Sequence, residues 1–304
     1  MPSWTQLLNH FDSLSDDNAR TQFLTTELQS KLQEVSARRS GRSVIFYASA
    51  FLQKPQAPAE RIIITPEDIN GLMTVVHGLP TSDGLTLILH TPGGSADAAD
   101  SIVAYLRSKF PSVEVVVPTF AMSAGTMIAL SSDLVVMGRQ SQLGPIDPQM
   151  AVGGGRYVSA QAIVDQFGRA QADIQTNPIL AHAWAPALAS LGPALLQEAT
   201  NALAYAEKTV GRWLALHMCS GDTAKSAAIA HYFNDAAVHL SHGHRIDRDE
   251  ARSQHVSVED LESDQALQEA VLTAYHLLTI TFERSPATKI IANHQGAQWV
   301  KGWT

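Results

Sequence analysis

Two short stretches of this chain hold residues whose types and spacing suit acyl transfer. In His90-Thr91-Pro92-Gly93-Gly94-Ser95, adjacent glycines leave the backbone bare. Their amides can approach a ligand closely and point at an anion. In Ala121-Met122-Ser123-Ala124-Gly125, a serine stands among small neighbours where a strand should turn into a helix. Its hydroxyl can project into the same crevice, and the Ala124 amide lies near a helix start, where donors and the helix dipole favour negative charge. A nucleophile beside unpaired amides is what acyl transfer requires, because the tetrahedral intermediate develops an oxyanion. A plainer reading stands beside this one: the glycines only turn the chain, and Ser123 only caps a helix.

The elements that would position these residues are legible around them. Leu87–His90 is a short apolar run that stops at Pro-Gly-Gly, as a buried parallel strand would. Ser95 is placed to cap a helix in which Ala98, Ile102, Leu106 and Phe110 recur every four residues. Val113–Val117 reads as a second buried strand running into Ala121–Gly125, and Leu134–Met137 as a third. Strands alternating with helices in this order imply a parallel sheet, with both turns at the strands' carboxyl ends, where α/β folds place their sites.

Taken together, HTPGGS, AMSAGTMIAL and LGPIDPQ resemble the serine dehydrogenase proteinase family, relatives of signal peptide peptidase A and the Clp protease. The resemblance covers roughly residues 40 to 260 and is strongest over 87–150. It implies the stacked ββα spiral of the ClpP/crotonase-like superfamily, an α/β fold with a parallel sheet, here with added N- and C-terminal helices. It also implies a serine peptidase acting on peptide or protein substrates, with no cofactor, no metal and no ATP requirement of its own. By the same resemblance Ser123 is the nucleophile and the amides at Gly93 and Gly94 form part of the oxyanion hole; the place of Ala124 near a helix start adds its amide to that set.

The general base is less plainly marked. Where Clp proteases carry a histidine after the nucleophile, this chain has Asp147. Signal peptide peptidases use a lysine, and between Ser123 and Gly221 only Lys208 is available. Lys208 shares a helix face with Asn201, Tyr205 and Arg212, the polar side, where a solvated lysine is the plain reading. A catalytic lysine would need desolvation to bring its pKa toward neutrality. The segment AVHLSHGHRIDRDEA resembles the family's Thr/Ser-His motif, and in that alignment His242 is the motif histidine. An imidazole suits base work near neutral pH. Metal binding by His239, His242 and His244 is the competing reading, but no Cys or HExxH pattern supports it. Asp147 either orients the base or, beside Pro148, forms the turn.

Composition agrees with a large α/β enzyme. The net charge is −8 with no basic run, which argues against nucleic acid or acidic membrane surfaces as partners. Cys219 is the single cysteine, so no intrachain disulfide forms and a cytoplasmic location is expected. No apolar run reaches the roughly 18 residues of a membrane span, so no integral membrane segment is expected. Met1–Arg39 reads as two helices broken at Ser15-Asp16-Asp17, an arm that packs on the core or on another subunit. Ser43–Ser49 reads as a strand. Thr65-Pro66 opens a helix with the stripe Ile69, Leu72, Met73, Val76 and Leu79. Gly153–Arg156 reads as a flexible turn, and Val158–Trp184 is weakly periodic. Gly192-Pro193 precedes a long helix from about Ala194 to Met218, on whose stripe His217 reads as a packed histidine. Gln265–Phe282 reads as a further helix, and the tail to Thr304 as a surface extension. The domain reading is an arm over 1–40, a catalytic domain over 41–260 and an extension over 261–304, assembled as a homo-oligomer. Two other functions remain open: a crotonase-like acyl-CoA enzyme, and a catalytically silent scaffold of the same fold.

Overall fold

Strands buried on both faces read as unbroken apolar runs, and the centre of this chain is built from them. In the computed structural model, which describes residues 3–189, 192 and 194–303, Ser43–Ser49, Leu85–His90, Val113–Val117, Leu134–Met137 and Val258–Asp260 lie side by side and parallel. Ala287–Asn293 pairs antiparallel with Ser43–Ser49, and Gln298–Gly302 closes that edge, giving seven strands in one sheet. The strands at 43–49, 113–117 and 134–137 fall where the sequence places them. Pro193, of the expected Gly192-Pro193 break, and the chain ends at Met1 and Thr304 lie outside the described residues.

One difference from the sequence reading concerns the C-terminal end, and at the N-terminal end one of the two open alternatives is the one observed. The tail is not a surface extension. Ala287–Asn293 is a wholly buried strand, disguised by Lys289, whose charge is neutralised inside the fold by Asp68. The N-terminal arm packs on its own core: Leu28, Leu32 and Val35 of the helix Asp17–Arg38 join Phe46, Ile88 and Val116 of the sheet and Leu278 of the helix Gln265–Arg284. Arg39, just past that helix, grips the Glu114 carboxylate with two nitrogens at 2.8 and 2.6 Å and Glu259 with a third at 2.8 Å. It thereby ties the arm to two strands. The chain divides into two compact units, residues 1–143 with 246–304, and residues 144–245. This division does not coincide with boundaries at 40 and 260.

The helix Asp68–Val76 packs on the opposite face of the sheet, against the last two strands. Its buried side is Asp68, Gly71, Leu72, Val75 and Val76, whereas Met73 of the expected stripe is exposed. Ser95 Oγ accepts from the Ala98 amide at 3.1 Å and so starts the helix Ala96–Lys109.

In the second unit, Gln149–Val152 and Arg156–Ser159 form an antiparallel hairpin closed by Gly153–Gly155. The expected weakly periodic segment resolves into the end of that hairpin, the helix Ala160–Thr176 and the helix Ala181–Ala189, which carries Pro186. Ala160, Ile163, Leu195 and Ala199 form one buried cluster of this unit, and Val210, Trp213, Leu214, Ile229 and Phe233 are buried in the unit as well. The long helix runs Leu195–Leu216, so His217 caps its end and does not lie on its stripe. Among the described residues no helix is long and apolar enough to cross a membrane.

Candidate active site

Ser123 follows the short strand Phe120–Ala121 and precedes the helix Ala124–Leu130. Its backbone has φ 53° and ψ −118°, a left-handed conformation that non-glycine residues rarely adopt. Such strain persists only where surrounding structure enforces it, and it gathers at functional sites. Here the enforcement is visible. The Met122 amide donates to the Thr91 carbonyl at 3.1 Å, and the Gly125 and Met127 amides donate to the Met122 and Ser123 carbonyls at 2.8 and 3.0 Å. Ser123 occupies the N-cap position, but its side chain does not cap the helix, and no hydrogen bond to another described residue engages its hydroxyl. The plain reading of a capping serine is therefore set aside.

The Pro-Gly-Gly turn lies against this serine. Gly93 has φ +99°, and a Cβ there would sit 2.6 Å from Ser123 Cβ and 2.6 Å from the Met122 carbonyl oxygen. The Gly93 amide donates to Thr91 Oγ1 at 3.1 Å. Neither the Gly94 amide nor the Ala124 amide donates to any described residue. Of the three amides singled out in the sequence, Gly93's is thus already taken, and Gly94's and Ala124's are not. The turn itself is held from outside by Ile64, whose amide donates to the Gly93 carbonyl at 2.7 Å and whose carbonyl accepts from Ser95 at 3.0 Å. Thr91 and Ile64 were not singled out from the sequence. Thr91 lies inside the HTPGGS motif; Ile64 gives no sequence signal at all, because it acts through its backbone.

His90, at the end of the strand before this turn, is buried among the rings of Phe51, Phe120 and Tyr275. Its Nδ1 lies 2.9 Å from Thr119 Oγ1, and its Nε2 has no partner. Burial pushes the imidazole down to about 3 from an ordinary 6.5. An unfolded chain takes up a proton on this ring below 6.5, whereas the folded chain refuses it until about 3. The stability tied to His90 is therefore complete above 6.5 and is lost as pH falls from 6.5 toward 3. His90→Phe is expected to be less acid-sensitive than the wild type, by roughly 2–3 kcal/mol at about pH 4.5. Urea midpoints of both proteins at neutral and acid pH check this, and equal acid losses in the two would contradict it.

In the second unit, Asp147 and His242 meet. His242 Nδ1 lies 2.7 Å from Asp147 Oδ1. The other carboxylate oxygen accepts from Gln149 Nε2 at 2.6 Å. Asp147 is 2% exposed, and the His242 side chain is 30% exposed. Because a carboxylate oxygen only accepts, Nδ1 carries the proton and Nε2 presents its lone pair. Gln149 is a residue the sequence reading did not single out; it holds Asp147 as Asp147 holds the imidazole. Lys208 is exposed on the helix Leu195–Leu216, on its polar side as expected. His239 instead packs on Tyr232 and places Nε2 2.7 Å from the Tyr232 carbonyl oxygen.

A mostly parallel sheet, with a strained serine and a bare glycine turn at its carboxyl edge, defines an α/β protein of the ClpP-like kind. The chain belongs to the ClpP-like SDH-type serine proteinase family, whose sequence profile matches residues 19–187, more than half its length. It is 38% identical over 115 residues to one uncharacterized protein of Methanocaldococcus jannaschii (37% of this chain, 39% of that protein) and 35% identical over 100 residues to a second (33% of each). The match thus spans only a third to two fifths of the curated relatives. Among solved structures it is similar to a serine-to-alanine variant of the 1510-N membrane-bound stomatin-specific protease (19% identity, TM-score 0.32, 66% of this chain and 92% of that one). A lysine-to-alanine variant of that protease in complex with a substrate peptide is similar at 19% identity and TM-score 0.28, covering 64% of this chain and 82% of that one.

Proposed function

We propose that this chain is a serine peptidase that hydrolyses peptide bonds through an acyl-enzyme on Ser123. The observation that carries the reading is the strained, uncapped serine flanked by two undonated amides, Gly94 and Ala124. Ser123 Oγ attacks the scissile carbonyl carbon, and the carbonyl π electrons move to oxygen. The resulting oxyanion accepts from the Gly94 and Ala124 amides, a preorganised pair whose individual members are worth on the order of 3 kcal/mol in such sites. Gly93 contributes by having no side chain, since its amide is committed to Thr91.

For the proton we assign His242. Its Nε2 accepts the Ser123 proton and returns it to the departing amine, while Asp147 holds Nδ1–H and stabilises the imidazolium. Water then attacks the acyl carbon and gives a proton to the same nitrogen; as the bond to Ser123 Oγ breaks, that proton passes to Oγ and the acyl group leaves as a carboxylic acid. Lys208 is not assigned, because an exposed ammonium on the polar side of a helix lacks the desolvation a neutral lysine base needs.

The test is labelling with a fluorophosphonate probe followed by peptide mapping. A covalent adduct on Ser123, absent in Ser123→Ala, is the expected outcome. An unlabelled Ser123 in a protein that binds acyl-CoA would move the chain to the crotonase-like class.

A further inference from the structure

A lysine and an aspartate without solvent exposure lie behind the glycine turn, and the proposed mechanism makes no use of them. Lys289 Nζ donates to Asp68 Oδ1 at 2.7 Å, to Asp68 Oδ2 at 2.8 Å and to the Ile63 carbonyl at 2.7 Å, which uses all three of its protons. Asp68 Oδ2 also accepts from Tyr47 Oη at 2.8 Å and from the Thr65 amide at 2.9 Å. Both charged side chains are 0% exposed.

The contacts that matter are the two to the backbone. The carbonyl before Ile64 and the amide after it are both fixed to this ion pair. Ile64 in turn bonds to the turn on either side of Gly94, through the Gly93 carbonyl and the Ser95 amide. The approach is so close that a Cβ on Gly94 would stand 2.3 Å from the Ile64 carbonyl oxygen. A short, unbroken chain of bonds therefore runs from Lys289 and Asp68 through residues 63–65 to the Gly94 amide.

Energetics say why such a pair would be kept. Withdrawing two charges from water is costly, and replacing a buried pair by apolar groups of similar size is often neutral or stabilising. Stability alone gives little reason for the arrangement; its directed bonds to Ile63 and Thr65 give a better one. We propose that Lys289, held by Asp68, is a positioning residue that sets the Ile64 backbone and, through it, aims the Gly94 amide at the oxyanion. This rests on the reading of Ser123 and Gly94 given above.

The double variant Asp68→Asn/Lys289→Met removes both charges while keeping side-chain size. Its inactivation by the fluorophosphonate probe is expected to show a maximal rate lower by about tenfold or more, since misplacement by an ångström costs on the order of 100-fold. Probe affinity and the urea midpoint should stay close to wild type. Tyr47→Phe, which deletes one bond to Asp68 and adds nothing, should show a smaller loss in the same direction and covers the case of a double variant that does not fold. Val35→Ala, in the core beside the helix Gln265–Arg284, serves as a destabilised control. An unchanged maximal rate in the folded variants, or a fall that Val35→Ala reproduces at equal loss of stability, would overturn the assignment. Absence of any Ser123 label in the wild type would instead remove the peptidase reading, and this inference with it.

Discussion

Gly93→Ala is expected to slow acylation of Ser123 by about 100-fold or more, far beyond what its effect on folding explains. The added Cβ has nowhere to go. It would lie 2.6 Å from the Met122 carbonyl oxygen, 2.6 Å from Ser123 Cβ and 3.1 Å from the Ala124 amide nitrogen, all parts of the serine turn, at a φ of +99° that alanine resists. Relief requires the turn and the serine to move apart, which separates the nucleophile from the amide at Gly94. The backbone strain alone costs roughly 1–3 kcal/mol. Gly41→Ala isolates that part, because Gly41 has φ +80° and open space around it. Urea unfolding and probe inactivation of both variants separate the effects: both should lose stability, and only Gly93→Ala should lose reactivity. Equal reactivity in the two would mean that the contact with Ser123 is not part of the catalytic geometry.

The legibility of this fold in its sequence follows burial. Val113–Val117 and Leu134–Met137 are apolar throughout, bounded by turn residues and covered on both faces, so pattern and structure coincide. Ala287–Asn293 is as deeply buried, yet one lysine and the polar residues around it make it read as surface. The partner that neutralises Lys289 lies more than 200 residues earlier, and no local pattern can report a long-range ion pair. Asp68, that partner, stands in the first turn of its helix and is wholly buried. The weakly periodic stretch after Val158 failed for a different reason. Its helices bury few side chains and none in the helix Ala181–Ala189, so there is little hydrophobic periodicity to detect.

Within the candidate site, the two turns that the motifs mark lie against one another, but the motifs do not tell the residues inside them apart. Gly93 and Gly94 are indistinguishable as letters. The structure separates them: one amide is satisfied by Thr91 and the other is open. Asp147 likewise carried two readings, turn former or orienting acid. The 2.7 Å contact to His242 and the 2.6 Å contact from Gln149 engage both of its oxygens, which a carboxylate needed only for a turn would not require.

His242→Gln is expected to lower turnover by about 10²–10⁴-fold with little change in stability, and Lys208→Ala to leave turnover within about twofold. Glutamine keeps the bulk of the imidazole and can still donate an amide proton toward Asp147, but it offers no basic nitrogen to Ser123. The His242 side chain is partly exposed, so its replacement opens no sealed cavity. Asp147→Asn should fall with His242→Gln. An asparagine amide turned toward Nδ1 donates where the carboxylate accepted, which drives the imidazole proton to Nε2 and removes the lone pair that the mechanism needs. Gln149 would be left to donate to the asparagine carbonyl, so the fold around the site persists. Lys208, by contrast, is exposed, and truncating it deletes only a solvated charge. Steady-state rates with a peptide ester substrate, alongside urea midpoints, check the series. Full turnover in His242→Gln together with its loss in Lys208→Ala would transfer the base to the lysine and make the catalytic pair a serine–lysine dyad.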